Sequence, residues 1–343
     1  MFFASDNTSG VPEQVLKALG SVNAGYALGY GADTAMDRVR ALVRETFEAP
    51  EAAVYLVATG TAANSLAIAT HVQPWDAVYC HRHAHIEEDE CNAPVFFTGG
   101  AKLALLDGPD AKIDPASFHA ALNDGMEGVH HAQRGMLSIT NLTERGSRYS
   151  CAEVAELATM AKDAGLPVHL DGARFANAVM AEGCSPAEMT WKAGVDVLSF
   201  GGTKNGLLGV EGVILFDPRK AWEFELRRKR GGHLFSKHRY LSAQMEAYLT
   251  DGLWQTLATT ANARAAALEA GLAGSAMRLL HPRGGNILFV AMPKALHQRL
   301  KAAGAAYYDM PNPDPDMVTA RFVTSWSTTE DDVDTFLRHV AAG

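Results

Sequence analysis

Between residues 50 and 217, short apolar runs of strand length alternate with segments whose apolar residues recur at helical spacing. Such an alternation predicts a mainly parallel sheet whose crossover helices cover both faces. Ligands bind beyond the carboxyl ends of the strands in sheets of this kind, so the loops after the strands are where a site is expected. The apolar runs are residues 53–57, 77–80, 103–106, 136–140, 168–170, 195–200 and 213–216.

After residue 217 the pattern changes to long helical stretches, a strand at 286–290, a helix near 294–303 and a strand around 319–324. A last helix is capped at Thr328 or Thr329. This pattern is typical of a small α+β lobe. The 343 residues also exceed the roughly 250 to 300 at which a single core stops growing. We therefore expect a large lobe over residues 15–240 and a smaller one over 241–343 together with 1–14.

One helix of the large lobe is marked at both ends. Ser150 and Glu153 have the spacing of a capping box, and Gly165 follows the last turn. The next strand is predicted to begin after Pro167, at residue 168.

Charge and hydropathy exclude several classes of protein. The 39 Asp and Glu against 30 Lys and Arg give a net charge of −9, which argues against binding to nucleic acid or to anionic membranes. The uncharged stretch 52–75 is interrupted by Gly60 and Pro74, so no transmembrane helix is predicted. Residues 1–10 lack the basic and apolar regions of a secretory signal, and the expected location is the cytoplasm.

Asp171 is the first candidate for chemistry, because it follows the buried strand 168–170. A carboxylate at the carboxyl end of such a strand can pair with a buried cation. An Asp before a Gly is also common in turns, where its side chain bonds to the backbone two residues on. Asp171 alone therefore does not distinguish a site from a turn.

Lys204 lies 33 residues further on, in the loop Gly201-Gly202-Thr203-Lys204 that follows the strand 195–200. A lysine held in a crevice is partly desolvated, which makes its amine a nucleophile. A lone lysine of this kind is usually a solvated loop residue. The spacing from Asp171 is about one βαβ unit, however, so both loops open on the same edge of the sheet.

Thr59-Gly60-Thr61 forms a strand-to-helix turn whose free N–H groups can bind a phosphate. The chain has no G-x-x-x-x-G-K loop, and Thr34 occupies the third glycine position after Gly29-Tyr30-Gly31. A phosphate site without those motifs favours pyridoxal 5'-phosphate (PLP) over ATP or NAD.

At these residues the chain resembles the threonine aldolase family of fold-type-I PLP enzymes, and the resemblance covers nearly its whole length. It implies an aminotransferase-like α/β fold with a mainly parallel large domain and a smaller α+β C-terminal domain. The matching segments are residues 4–6, 29–33, 59–64, 85–86, 169–174, 202–204 and 321–324.

The resemblance implies that Lys204 holds PLP as a Schiff base and that Asp171 pairs with the pyridine nitrogen. It also implies cleavage of L-threonine, L-allo-threonine or related β-hydroxy-α-amino acids such as phenylserine to glycine and an aldehyde, through a glycine quinonoid. The other implied roles are phosphate binding by Gly60 and Thr61, stacking and acid/base chemistry by His85, and substrate binding by Ser5, Tyr30, Arg174 and Arg321, with Arg174 also reaching the phenolic oxygen.

The segment Arg227-Arg228-Lys229-Arg230 is by itself typical of a solvated basic helix face. The resemblance implies that this region lends a cation to the phosphate of a neighbouring subunit. Lys229 and Lys237 are the candidates, in a homodimer or homotetramer with shared active sites.

Two departures and three alternatives remain. The chain reads Asn141-Leu142-Thr143-Glu144 where many family members carry Asn-Thr-His, and residues 85–100 are more similar to the low-specificity or phenylserine-cleaving branch. Another PLP activity is one alternative: hydroxymethyl transfer, β-elimination or racemisation. A PLP-binding protein without catalysis is a second. The third is a metal site built on His81, His83 and His85, which would share a face of an extended strand; no metal is expected in the preferred reading.

Overall fold

The computed structural model describes residues 1–124 and 128–342, and within them it contains a seven-stranded and a four-stranded sheet. The strands of the larger sheet are β1 (Ala53–Val57), β2 (Asp76–His81), β3 (Lys102–Leu106), β4 (Gln133–Thr140), β5 (Val168–Gly172), β6 (Val197–Phe200) and β7 (Glu211–Leu215). Those of the smaller sheet are β8 (Arg278–Leu279), β9 (Ile287–Pro293), β10 (Tyr308–Pro311) and β11 (Met317–Val323).

The helices lie between and after these strands, as the alternating pattern predicts. They are α1 (Glu13–Ser21), α2 (Thr34–Thr46), α3 (Gly60–His71), α4 (His85–Glu88), α5 (Ala93–Thr98), α6 (Pro115–Asn123), α7 (Cys151–Asp163), α8 (Phe175–Glu182), α9 (Ala221–Arg230), α10 (Arg239–Leu249), α11 (Leu253–Leu272), α12 (Lys294–Ala302) and α13 (Glu330–Ala341).

The larger sheet has the strand order β1-β7-β6-β5-β4-β2-β3. The run from β3 to β6 is parallel, and β7 is antiparallel to both of its neighbours. The prediction of a mainly parallel sheet is therefore confirmed. Thr140 of β4 pairs with Asp171 of β5, and Gly172 pairs with Phe200 of β6, so the carboxyl ends of three strands lie at one edge.

Helices cover both faces of the larger sheet, and its strands are apolar on both faces for that reason. In β7, Ile214 packs into one apolar cluster while Val213 and Leu215 pack into the other. Each fully buried side chain of this size contributes about 1.5 to 3 kcal/mol to folding. This double burial holds the strand ends, and the loops that follow them, in fixed positions.

The smaller sheet has the order β10-β11-β9-β8 and is antiparallel throughout. The N-terminal residues pack against it: Phe3 N–H donates to the Ala306 carbonyl (2.7 Å), and Val323 N–H donates to the Phe3 carbonyl (2.9 Å). Buried residues at 241–258 pack into the core of the larger sheet. The lobe boundaries, 15–240 and 241–343 with 1–14, stay a prediction.

Local sequence signals have mixed outcomes. Ser150 and Glu153 form the predicted capping box of α7, and Thr329, one of the two candidates, caps α13. The extended strand on which His81, His83 and His85 would share a face, as the metal-site alternative requires, does not form, because β2 ends at His81 and His85 begins α4. In the part of the chain that the structure describes, no helix combines the length and apolarity needed to cross a membrane.

Candidate active site

A cavity of about 250 Å³ opens at the carboxyl edge of the larger sheet. The loops after β1, β2, β5 and β6 contribute to its wall. Five residues with sequence-predicted roles line it together: Gly60, Thr61, His85, Asp171 and Lys204. Residues from four separate loops thus meet where the strand ends predicted a site.

The loop of Lys204 depends on two glycines that allow close backbone approach. A Cβ at Gly201 would lie 2.3 Å from the Ala173 carbonyl oxygen, and one at Gly202 would lie 2.5 Å from that of Val210. Glu211 accepts the Gly202 N–H (2.7 Å) and closes the loop from β7. Within residues 1–124 and 128–342, the Lys204 amine makes neither a hydrogen bond nor an ion pair, so it is available to a ligand.

Asp171 faces the same cavity and is 1% exposed. Its Oδ1 accepts the Ala173 N–H (3.0 Å), which is the turn bond that an Asp before a Gly predicts. Its Oδ2 accepts the Asn64 amide (2.9 Å). The two interpretations of Asp171, a turn residue and a site residue, are therefore compatible, because its carboxylate bonds to the turn backbone and also faces the cavity.

The amino end of α3 forms the third wall. Thr59 caps the helix by accepting the Ala62 N–H (3.2 Å), and the N–H groups of Gly60 and Thr61 precede the first intrahelical bond. A Cβ added at Gly60 would meet no atom within 4 Å, so this end of the helix is open. Free N–H groups and the positive helix end together favour an anion.

His85 is held from behind by a carboxylate that the sequence analysis assigned no role. Its Nδ1 lies 2.8 Å from Oε1 of Glu90, whose side chain is fully buried. The same oxygen accepts the Asn64 amide (2.8 Å), which also bonds Asp171. Ligand atoms of His85, Glu90 and Asp171 lie within 4.8 Å of one another, a spacing that a metal could use, but the Asn64 amide already links the two carboxylates.

Arg174 follows the lining residue Ala173 but does not itself line the cavity. Arg174 donates Nε to Asp6 Oδ2 (2.7 Å) and Nη2 to Asp6 Oδ1 (2.9 Å), and both side chains are buried. Burial acts to raise the pKa of Asp6, but the charge and hydrogen bonds of Arg174 outweigh it and the pKa is lowered. Arg174 is thus fixed by an ion pair that single motifs did not predict.

Arg321 has a different environment. Its Nη2 donates to the Ala4 carbonyl (3.3 Å), its guanidinium carbon lies 5.0 Å from the Tyr308 ring centroid, and its buried Nε has no partner in the structure as described. No carboxylate of the described chain lies within 4 Å of it. Burial, and after it the charge of Arg174, lowers the pKa of Arg321. A structural salt bridge from an edge strand would be the alternative role of a strand arginine, but β11 is an inner strand and Arg321 forms no salt bridge in the described chain.

Ser5 lies in sequence between Ala4 and Asp6, the residues that Arg321 and Arg174 contact. It caps the short turn Asp6–Thr8, where its Oγ accepts the Asn7 N–H (3.1 Å), and Asn7 lines the cavity. Ser5 and Arg321 do not themselves line the cavity.

Glu144 follows β4, in the stretch 141–144 where the chain departs from the family's Asn-Thr-His pattern. Burial raises the pKa of its carboxyl group, while the positive charges of Lys204 and His85 act in the opposite direction. The sequence showed the departure from the family pattern but gave no role to the glutamate. Glu144 places a further carboxyl group, in addition to those of Asp171 and Glu90, close to the charges of the site.

Tyr30, Lys229 and Lys237 do not line the cavity of their own chain. Lys229 Nζ lies 5.2 Å from the Tyr30 ring centroid, and Tyr30 N–H donates to the Ser236 carbonyl (3.2 Å). Tyr30, Lys229 and Lys237 are exposed, as are Tyr26 and Leu28. The structure therefore does not bring Tyr30, Lys229 or Lys237 together with Lys204 in the cavity of their own chain.

The donor and acceptor set of the cavity fits PLP. A buried carboxylate, a free lysine amine and a helix amino end face one volume. Asn64 Oδ1 and Glu90 Oε2 are buried there without a partner in the described chain. Because buried polar atoms are nearly always satisfied, such atoms mark a place where a bound group completes the site.

Residues 3–295 match the model of the beta-eliminating lyase family, and the chain belongs to that family. The low specificity L-threonine aldolase of Pseudomonas sp. (strain NCIMB 10558) is 38% identical over 329 residues, which cover 96% of this chain and 93% of that protein. The Leishmania major threonine aldolase has a TM-score of 0.94 at 27% identity, covering 99% of this chain and 98% of that one.

Sphingomonas wittichii serine palmitoyltransferase shares the fold alone, with a TM-score of 0.73 at 14% identity over 100% of this chain and 86% of that chain. The predicted fold-type-I architecture and the resemblance to threonine aldolases are both confirmed. The protein is a lyase of the threonine aldolase type.

Proposed function

We propose that the protein cleaves L-threonine, L-allo-threonine or related β-hydroxy-α-amino acids, phenylserine among them, to glycine and an aldehyde with PLP held on Lys204. One observation carries this proposal: the free Lys204 amine, the buried Asp171 carboxylate and the amino end of α3 face one cavity. The relatives support it, since the Pseudomonas and Leishmania proteins are named threonine aldolases.

Three features of the chain would hold the cofactor. The Lys204 amine is its covalent anchor, Asp171 pairs with the pyridine nitrogen, and the N–H groups of Gly60 and Thr61 bind the phosphate. When bound, PLP supplies the electron sink that stabilises negative charge at the substrate Cα. The buried Asp171 keeps the ring nitrogen protonated and so maintains that sink.

The substrate α-carboxylate is assigned to Arg321, with Ser5 and Arg174 beside it. Arg321 lacks a carboxylate partner in the described chain and donates only to a carbonyl, so its fork remains free for a planar anion. Asp6 accepts hydrogen bonds from Nε and Nη2 of Arg174, so Nη1 remains available as a donor.

The proton of the substrate hydroxyl is assigned to His85. Its Nδ1 is occupied by Glu90, so Nε2 is the nitrogen that can take up the proton. The ring is 27% exposed and lies on the cavity wall, a position suited to stacking on the cofactor as well. Transfer of the hydroxyl proton to Nε2 drives electrons toward C–C cleavage.

The active assembly is proposed to be a cytoplasmic homodimer or homotetramer. Lys229 and Lys237 lie outside the cavity of their own chain and would contribute to the phosphate site of a neighbour. Tyr30 lies on the same surface and would contribute to the neighbour's substrate site. The exposed Tyr26 and Leu28 supply apolar area for such an interface.

The test is made on protein purified with PLP. The wild type is expected to absorb in the near-visible range, and borohydride is expected to fix the cofactor to the peptide that contains Lys204. Cleavage of threonine, allo-threonine and phenylserine is assayed by the formation of glycine and aldehyde. Lys204→Ala is expected to lose all three properties, whereas Lys17→Ala, a 73% exposed lysine, is the matched control and keeps them. Labelling of another lysine, or pyruvate from serine without any aldehyde from threonine, would contradict the proposal.

A further inference from the structure

Residues 83–90 contain two histidine–glutamate pairs with the same five-residue spacing. His83 Nδ1 lies 2.6 Å from Glu88, and both side chains are 36% exposed. His85 Nδ1 lies 2.8 Å from Glu90, whose side chain is 0% exposed. The first pair is in solvent and the second borders the active-site cavity, so burial separates two pairs of the same chemistry.

The hydrogen bonds of Glu90 determine which nitrogen of His85 carries the proton. An ionised carboxylate only accepts, so the Nδ1 that contacts Oε1 must be the donor. Asn64 donates one amide hydrogen to the same Oε1 (2.8 Å) and the other to Asp171 Oδ2 (2.9 Å). His85, Glu90, Asn64 and Asp171 thus form one connected network.

The backbone after Glu90 is arranged to direct this side chain inward. Cys91 and Asn92 both have left-handed conformations, with φ of 49° and 60°, and Ala93 N–H donates to the Glu90 carbonyl (2.9 Å). Two successive non-glycine residues in this region are uncommon and persist only where the surroundings impose them. The tight turn between α4 and α5 is what places Glu90 behind His85.

We propose that Glu90 is a positioning residue that holds His85 with Nδ1 protonated and Nε2 toward the substrate, and that Asn64 ties this pair to Asp171. The inference rests on the proposed function, because His85 is assigned there to the hydroxyl proton. It goes beyond that function by naming the groups that orient the base. Asn64 links the acid/base side of the cavity to the carboxylate that faces the cofactor ring.

The charges around His85 give the direction of the pH effect. The hydrogen bond that His85 donates to Glu90 raises the pKa of His85 more than burial lowers it. Asp171 and Glu144 raise it further and Lys204 lowers it. Removing the Glu90 charge therefore lowers the pKa of His85. A base with a lower pKa loses its proton at lower pH, so the acid limb of kcat/KM moves toward lower pH.

Glu90→Gln, prepared as the PLP-loaded enzyme, tests the proposal through activity. A positioned acid/base contributes about 10²- to 10⁴-fold in rate, and loss of its orientation is expected to lower kcat by at least about tenfold and to shift the acid limb. Glu88→Gln removes the charge of the exposed pair and is the matched control, with kcat and pH profile unchanged. In a His85→Phe background, Glu90→Gln is expected to have no further effect.

A measurement that does not depend on turnover separates this inference from the proposed function. In the PLP-loaded wild type with ¹⁵N-labelled histidine, His85 is expected to show a protonated Nδ1 and a higher pKa than in Glu90→Gln. Glu90→Asp keeps the charge and is expected to restore part of the shift if Glu90→Gln fails to fold. A neutral His85 in the wild type with its proton on Nε2, or a His85 pKa unchanged by Glu90→Gln, would overturn the assignment even if threonine is cleaved. A wild type with the expected His85 signals but no aldolase activity would refute the proposed function alone.

Discussion

An arginine without an anionic partner is unusual inside a protein, because desolvating its charge is costly unless the charge is balanced. Arg321 is in this situation: it is half-buried, bonds a carbonyl, and lies near the positively charged Arg174. Arg174, by comparison, has a bidentate Asp6. The contrast favours Arg321 as the receptor of an anion from outside the chain.

Arg321→Ala is therefore expected to fold and bind PLP while losing substrate affinity. Truncating one partner of a buried charge pair costs about 2 to 5 kcal/mol, equivalent to roughly 30- to 4,000-fold in kcat/KM. Arg321→Lys should recover only part of the loss, because an ammonium cannot form the bidentate contact. Spectral titration with glycine measures the affinity, and Arg278→Ala, an exposed arginine of the same sheet, is the control. A normal kcat/KM in Arg321→Ala would leave the carboxylate to Arg174.

Among single residues, the sequence predicted the candidate site residues that lie at strand ends. It did not predict those whose side-chain direction depends on a turn. Lys204 and Asp171 line one cavity, as expected of residues at the carboxyl ends of buried strands, and their catalytic roles stay a proposal. Glu90 was indistinguishable from its neighbours in an acidic run, because no pattern reveals the left-handed turn that follows it. Asn64 belongs to the matching segment 59–64, but its hydrogen bonds join residues that lie 26 and 107 positions away in the chain.

At the scale of elements, alternation predicted the strands well because both faces of the larger sheet are buried. It could not predict that the backbone leaves the extended conformation between His81 and His85, since a run of histidines has no periodicity that separates a strand from a helix start. The alternation also could not predict that β7 is antiparallel, because an apolar run carries no information on the direction of its strand.

Strand β5 carries a buried histidine with consequences for stability. His169 is 0% exposed and lies between Ser138 of β4 (2.9 Å) and Ser199 of β6 (3.0 Å). Burial lowers the pKa of His169 from 6.5 to about 4. Between these values the unfolded chain binds a proton that the folded chain does not. The stability that His169 contributes is therefore present above about pH 6.5 and is lost as the pH falls toward about pH 4.

The expected size of this loss is about 2 kcal/mol between roughly pH 7 and pH 5, from 1.36 kcal/mol per pKa unit. His169→Asn removes the titrating group, so its stability should fall by that much less over the same interval. Urea unfolding of both proteins at the two pH values measures the difference, and any constant cost of the substitution cancels. Equal pH dependence in both proteins would show that His169 does not carry the effect.

At the scale of the whole molecule, the unexplained feature is the surface formed by Tyr30, Lys229 and the segment before Lys237. It combines exposed aromatic and apolar side chains with positive charge, although the net charge of the chain is −9. The cavity of the same chain has its phosphate-binding helix end but no lysine near it other than Lys204 among the described lining residues. The exposed surface thus offers lysine side chains, and the helix end at the cavity offers an anion site without such lysines. Two subunits related by symmetry would bring the lysines of one chain to the anion site of the other.

Subunit mixing tests this arrangement. The double variant Lys229→Ala/Lys237→Ala is expected to bind PLP about 10- to 100-fold more weakly, since charge-assisted hydrogen bonds contribute about 1.5 to 3 kcal/mol. Lys204→Ala is expected to be inactive because it lacks the amine that anchors PLP. If each site takes its lysine anchor from one chain and its phosphate cation from the other, a mixed dimer has one intact site and one with both defects. Co-expression of the two variants under different tags, followed by isolation of the mixed dimer, should therefore restore activity to about half the wild-type sites. A mixed dimer whose cofactor affinity and kcat stay at the level of the double variant would place the phosphate cation in the same chain as Lys204 and refute the shared site.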